Sequence, residues 1–189
     1  MIMKRRINPA SMQWVNKPGM TIVSGDKLII ETEPHTSLNG LMFGSRAAAI
    51  LELEPMKNFT LDLRIDYELH KNEDECGILL KISDVYWCKF CLDRKDQSLD
   101  LVCSVYRNGY GDHCVREVGD MINHLYFRVR YWNGNATFSY SFNGDRYSDM
   151  RWLHLTTQEI TVTAGVYACS PEDSWFDCTF SEMYITDGK

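Results

Sequence analysis

Residues 127–187 read almost without interruption as β-hairpins, and no other feature restricts the fold as tightly. Apolar residues alternate with polar or aromatic ones along each run. Asn133-Gly134 and Asn143-Gly144 fall between runs, where such a pair supplies the positive φ angles of a tight turn at low steric cost. The pattern extends upstream. Residues 59–69 alternate strictly, with Phe59, Leu61, Leu63, Ile65, Tyr67 and Leu69 on one face and Thr60, Asp62, Arg64, Asp66 and Glu68 on the other. Further strand signals lie at 27–32, 49–53, 76–83, 86–93, 98–106, 114–118, 126–132, 136–142, 159–168 and 176–186, separated by turn chemistry at 72–75, 93–97, 108–112 and 170–173. Only around residues 45–53 does a helical turn compete with a strand. About a dozen short strands in 189 residues predict an all-β, two-sheet antiparallel sandwich, because one open sheet of that many strands leaves an apolar face in water. The whole chain, 1–189, is expected to form a single domain around one core, for which 44% hydrophobic residues suffice.

Charge and cysteine usage narrow the setting. A net charge of −6 repels phosphate backbones, and the basic cluster Lys4-Arg5-Arg6 sits on the terminus, so no nucleic-acid partner is expected. No window approaches the roughly 18 consecutive apolar residues of a membrane span. The first residues start positively, as a signal peptide does, but polar side chains stand where its apolar stretch belongs. Seven cysteines, an odd number in a chain of this size, then read as free thiols in a reducing, cytoplasmic setting. On that reading the sequons at Asn58 and Asn135 are chance matches.

Strand periodicity separates residues that pack from residues that face outward. In 86–93, Cys88, Phe90 and Leu92 take the core side, and Trp87, Lys89, Cys91 and Asp93 the other. In 126–132, Phe127, Val129 and Tyr131 alternate with Arg128, Arg130 and Trp132. Tyr167 joins the outward set if its strand lies in the same sheet, since Val162, Ala164, Val166 and Ala168 form that strand's core row. Trp, Lys, Asp and Arg on one surface suit sugars: an indole stacks on pyranose C–H groups while charged groups bond vicinal hydroxyls. The competing reading is a wet strand face with cross-strand ion pairs. A glycosidase requires two carboxyls about 5 Å apart for a retaining mechanism. Here the acid run 72–75 reads as a turn, and Asp62 and Asp66 flank Arg64 on a wet face. No metal or cofactor is expected, because Cys88 and Cys91 lie three apart on a strand and so point to opposite faces, and His35, His70, His124 and His154 are not grouped. Calcium held by loop residues such as Asp112 or Asp173 stays open. Trp14, Trp152 and Trp175 read as core and sheet-edge packing.

Several fragments add a resemblance. Trp87-Cys88-Lys89-Phe90-Cys91-Leu92-Asp93, residues 105–112, Arg128-Val129-Arg130, residues 140–144 with Arg151, and residues 165–171 resemble, in order and spacing, the concanavalin A-like proteins of domain of unknown function 1349. That group includes the fungal regulation-of-enolase proteins. The early Trp14 and Leu28-Ile29-Ile30 fit as well. The resemblance implies a jelly roll of the lectin/glucanase type with a concave and a convex sheet, and no established reaction. It departs from the family pattern at Thr36-Ser37-Leu38-Asn39, which lacks the family's acid and tryptophan, and at His113-Cys114, where tryptophan and serine are expected. The expected function is non-catalytic recognition of a carbohydrate or polyhydroxylated ligand on the concave sheet, through Trp87, Lys89, Asp93, Asp112, His113, Arg128, Arg130 and Tyr167. A regulatory protein-interaction module and a carbohydrate-active enzyme with an atypical site are the alternatives.

Overall fold

A computed structural model describes residues 4–38 and 46–188. Asn39 and Ser45, and the first three residues of the terminal segment, lie outside the described residues. In chain order the strands are β1 (Lys4–Arg6), β2 (Gln13–Asn16), β3 (Met20–Ser24), β4 (Lys27–Glu31), β5 (Thr36–Ser37), β6 (Arg46–Ala47), β7 (Ala49–Glu52), β8 (Phe59–Tyr67), β9 (Glu75–Ser83), β10 (Tyr86–Arg94), β11 (Leu99–Arg107), β12 (Tyr110–Val118), β13 (His124–Trp132), β14 (Asn135–Ser141), β15 (Ser148–His154), β16 (Thr163–Cys169) and β17 (Asp177–Asp187). Two antiparallel sheets carry the fold. One runs β15-β14-β13-β8-β17-β4-β3, with β1 also paired to β17, and the other runs β12-β11-β10-β9-β16-β7-β2. β5 and β6 form a short parallel pair outside both.

Local chemistry sets the hairpins. Asn108 and Gly109 take φ of 51° and 85°, and Asn133 and Gly134 take 46° and 75°, the left-handed pair of a two-residue turn. Gly134 is required twice over, since a Cβ there would fall 1.8 Å from the Thr156 carbonyl oxygen. The turn at Asn143-Gly144 is wider than a two-residue hairpin. Only Gly144 has positive φ, and Asn143 Oδ1 instead accepts from the backbone amides of Asp145 and Arg146.

Between the sheets the inward residues of both layers interdigitate. Phe90 of β10 meets Phe127 of β13 edge-on at 4.8 Å and Phe138 of β14 at 5.7 Å, all three fully buried. Each such ring contributes roughly 1.5–3 kcal/mol by leaving water. The contact also fixes orientation: β10 and β13 are packed core to core, so their outward rows lie on opposite surfaces. At one side of the sandwich the strands β12 and β15, each the last of its sheet, are tied together. Arg151 donates to the Asp112 carboxylate at 2.6 Å and to the Cys103 carbonyl at 3.1 Å, and Arg116 bonds the Tyr140 hydroxyl.

Candidate functional site on the outer face of the seven-stranded sheet

The outer face of the β9-β10-β16 region holds the densest polar cluster, and strand register builds it. Across β9, β10 and β11, Trp87 lies between Lys81 and Tyr106, Lys89 between Leu79 and Ser104, Cys91 between Gly77 and Val102, and Asp93 between Glu75 and Asp100. On the far side of β9, Tyr167 stands opposite Gly77 and Cys169 opposite Glu75. Tyr167 therefore shares a face with Trp87, Lys89 and Asp93. Gly77 is dictated by closeness of the strands, because a Cβ there would sit 2.3 Å from the Phe90 carbonyl oxygen.

Glu75 is the centre of the cluster. Its Oε2 accepts from Lys89 Nζ at 2.5 Å and from Cys91 Sγ at 3.6 Å, and its Oε1 accepts from Cys169 Sγ at 3.4 Å. The ion pair is nearly closed to water, with side-chain exposures of 12% for Lys89 and 9% for Glu75. Burial pulls the Lys89 ammonium down, but the charge and hydrogen bond of Glu75, together with neighbouring Cys91 and Tyr106, outweigh it and hold the group above the ordinary lysine range. Cys91, Cys169 and Tyr167 are pushed well up by burial, so all three stay neutral. The Tyr167 hydroxyl is buried and has no hydrogen-bond partner among the described residues. Asp93 pairs through Oδ2 with Lys95 at 3.0 Å, while its buried Oδ1 has no partner among the described residues. Burial raises the Asp93 carboxyl, Lys95 partly offsets this, and Glu75 opposite adds to it.

Beside this floor runs an aromatic ledge. Trp87, half-buried, stacks on Tyr106 with centroids 4.1 Å apart and planes 18° apart. The His113 ring meets Tyr106 edge-on at 5.6 Å, and its Nδ1 lies 2.7 Å from the Ser104 hydroxyl. Lys81 and Glu52 form a further ion pair at 3.1 Å. Part of the face is roofed, since Leu79, Cys91, Val102, Tyr167 and Cys169 form an outer apolar cluster with Ala48, Leu38 and Ile50.

Several expectations are corrected here. Arg128 and Arg130 belong to β13 in the eight-stranded sheet, so they do not converge with Trp87, Lys89 and Asp93. Arg128 instead pairs with Asp62 at 2.5 Å and stacks over Tyr147 at 3.7 Å, and Arg130 lies near Trp132. Asp112 is held in the edge pair with Arg151, away from the ledge that His113 occupies. Trp152 and Trp175 are 70% and 53% exposed rather than packed.

The sequence reading missed Glu75, which is not in the turn but opens β9. The turn belongs to Asp74, whose Oδ2 accepts from the amides of His70 and Lys71 at 2.9 and 2.8 Å. Extending the alternation of β9 one residue back puts Glu75 on the face of Lys81, and that signal was available. Glu75 and Asp93 stand directly opposite each other, yet Glu75 is neutralised by Lys89 and offers no free nucleophile of the kind a retaining mechanism uses. Among the described residues no group of three or more His, Cys, Asp and Glu is placed to hold a metal. No helix among them is long and apolar enough to cross a membrane.

Two antiparallel sheets with this strand order define a concanavalin A-like sandwich of the lectin/glucanase type. The profile of the family described as "Protein of unknown function (DUF1349)" matches residues 14–188, and the chain belongs to that family. Regulation of enolase protein 1 of Saccharomyces cerevisiae is 25% identical over 176 residues, covering 92% of this chain and 88% of that protein. A crystal structure of a functionally unknown protein from Saccharomyces cerevisiae superposes with a TM-score of 0.85 at 23% identity, over 97% of this chain and all of the other. A GH43 protein from Bacillus licheniformis gives a TM-score of 0.73 at 13% identity, over 94% of this chain and 37% of that one. The CBM2 module of a Lactobacillus casei phage Dit protein gives 0.59 at 10% identity, over 92% of this chain and 82% of that one. These likenesses establish the shared fold.

Proposed function

We propose that the protein recognises a carbohydrate or similar polyhydroxylated ligand, without transforming it, on the outer face of the seven-stranded sheet in the cytoplasm. The observation that carries this reading is the Trp87-Tyr106-His113 ledge running beside the Lys89–Glu75 ion pair. Aromatic rims pack on sugar C–H surfaces, and fixed charges that are already paired bond hydroxyls without moving. In this reading Trp87 and Tyr106 supply the apolar contact, His113 and Lys89 supply hydrogen bonds, and Tyr167 and Asp93 keep the floor in place. The names of two fold neighbours, a GH43 protein and a CBM2 module, agree with a ligand of this class.

A screen of glycans and polyols by thermal shift, followed by calorimetry on hits, tests the proposal. Trp87→Ala is expected to weaken binding at least tenfold, the loss of about 1.4 kcal/mol. Trp152→Ala, on the other sheet, should leave binding unchanged. A blank screen, or binding that survives Trp87→Ala, removes the reading. A protein-interaction role is the second reading, favoured by exposed Trp152 on the edge strand β15 and by the name of the yeast relative. It predicts that Trp152→Ala, and not Trp87→Ala, disrupts association.

A further inference from the structure

One end of the sandwich carries a cavity of about 80 Å³, where the β13–β14 turn, the residues before β8 and the segment between β15 and β16 meet. Lys57, Asn58, Tyr131, Gln158, Glu159 and Ile160 line it together with that turn. Backbone hydrogen bonds hold the walls. The Asn133 amide donates to Asn58 Oδ1 at 3.0 Å and the Leu155 amide to the Gly134 carbonyl at 2.8 Å. Met56 and Val162 exchange amide-to-carbonyl bonds at 2.9 and 2.8 Å beside the lining residues Lys57 and Ile160. The cavity is therefore preformed.

Tyr131 is the sign that a ligand belongs there. It is 1% exposed, the one deeply buried side chain of the lining, and its ring packs on Phe59. Its hydroxyl nevertheless makes no hydrogen bond to another described residue. A buried hydroxyl left unpaired costs free energy, and native proteins satisfy such groups with water or a ligand. Burial raises this hydroxyl above its ordinary range, with Tyr86 adding to the effect, so it stays protonated and can both donate and accept.

The rest of the lining selects the chemistry. Lys57 and Glu159 stand 4.0 Å apart, largely in water, and their charges cancel, so no unbalanced charge is present to hold an ion. With Oδ1 taken, the Asn58 amide keeps its NH₂ to donate, and Gln158 brings a second amide. Neutral donors and acceptors beside the Tyr131 ring and half-buried Ile160 match a molecule with hydroxyls on one side and C–H groups on the other. One water takes about 10–15 Å³ of such a volume, so the space accepts several heavy atoms, as in a small polyol or one edge of a sugar ring.

We propose that this cavity is a second binding site, selective for a vicinal diol presented by a small free polyol or by the end of a glycan, with the Tyr131 hydroxyl as its deepest contact. The site shares no residue with the ledge and does not depend on it.

Glycerol and methyl β-glucopyranoside are the probes, and 1-propanol, which lacks vicinal hydroxyls, is the control. Each is titrated into the isotopically labelled full chain while the backbone amide shifts of Asn133, Gly134 and Ile160 are followed by NMR. At least one diol should give saturable shifts there, and 1-propanol none. Saturation by glycerol supports a free polyol, and saturation by the glucoside alone supports a glycan end. Tyr131→Phe removes one hydroxyl and should weaken binding by up to about tenfold. Gln158→Ala, in an exposed segment, gives the same readout should circular dichroism show Tyr131→Phe to be unfolded. Trp87→Ala should leave these shifts unchanged, which separates a failure at this end from a failure of the ledge. No saturable shift with either diol, an equal response to 1-propanol, or an affinity unaltered by both Tyr131→Phe and Gln158→Ala overturns the proposal.

Discussion

Replacing Lys89 by methionine probes the centre of the candidate site most directly. The ammonium is the strongest of three donors to Glu75, and the other two are thiols at 3.6 and 3.4 Å. Without it a carboxylate on a residue only 7% exposed loses its counter-charge. Breaking a buried pair from one side costs about 3–5 kcal/mol, because the orphaned charge stays desolvated. For a domain of this size each kcal/mol lowers the melting temperature by about 2–4 °C, so a fall of roughly 6–20 °C is expected. Urea unfolding of Lys89→Met, Glu75→Gln and the double variant closes a thermodynamic cycle. The double variant should recover most of the loss, since neutral side chains of similar shape leave no buried charge. The burden on Lys89 should persist throughout neutral pH. A lysine held above its ordinary range contributes stability that is complete below the unfolded value near 10.5 and is lost only as pH climbs through the raised folded value. If Lys89→Met costs under 1 kcal/mol, or the double variant is no better than the sum of the singles, the pair is solvated and the argument fails.

Asp93→Asn should stabilise the protein at neutral pH, with the gain fading as pH falls to about 4. The Asp93 carboxyl is raised by burial, so it contributes stability below its unfolded value that disappears as pH rises through the folded one, and asparagine removes that loss. A pH series of urea midpoints checks this, and a gain that grows toward acid pH contradicts it. Thiol reactivity forms another test, because all seven cysteines are free and Cys114 is the one of them not buried. Burial pushes the Cys88 thiol up to about 12. A chromogenic disulfide reagent should therefore label at most one thiol in the native state and seven after unfolding, and several fast native reactions would show that the buried faces open.

Local signals were legible in the sequence where local chemistry decides. The Asn133-Gly134 turn, the alternation of β8 and the inward-outward assignment along β10 and β13 are properties of a few consecutive residues. The exposed strands β2 and β3 were passed over because Gln13, Val15, Met20, Ile22 and Val23 remain in water, so no buried row imposes alternation on them. Period two also gives the side of a residue and not its sheet. Trp87 and Arg128 carry the same outward signal, and only the pairing of β10 with β9 and of β13 with β8 sends them to opposite surfaces. Such pairings join residues far apart in the chain, and the hydrophobic pattern of either strand satisfies more than one of them.

The two outer faces differ in what they cost, and the difference bears on where function sits. Arg64 and Asp66 on the eight-stranded sheet bond each other while partly in water, an arrangement close to neutral for stability. On the seven-stranded sheet the protein keeps a buried ion pair and, among the described residues, a Tyr167 hydroxyl and an Asp93 oxygen without hydrogen-bond partners. None of these is needed for the core, which lies on the other side of the same strands and is filled by Ile78, Leu80, Phe90 and Leu92. Apolar side chains at Lys89 and Glu75 would serve the sheet as well or better. Local departures from the most stable choice are expected at functional sites and compensated elsewhere in the fold. Here they gather within the neighbouring strands β9, β10 and β16, next to the aromatic ledge. That concentration is the physical reason to look for the ligand on this face first.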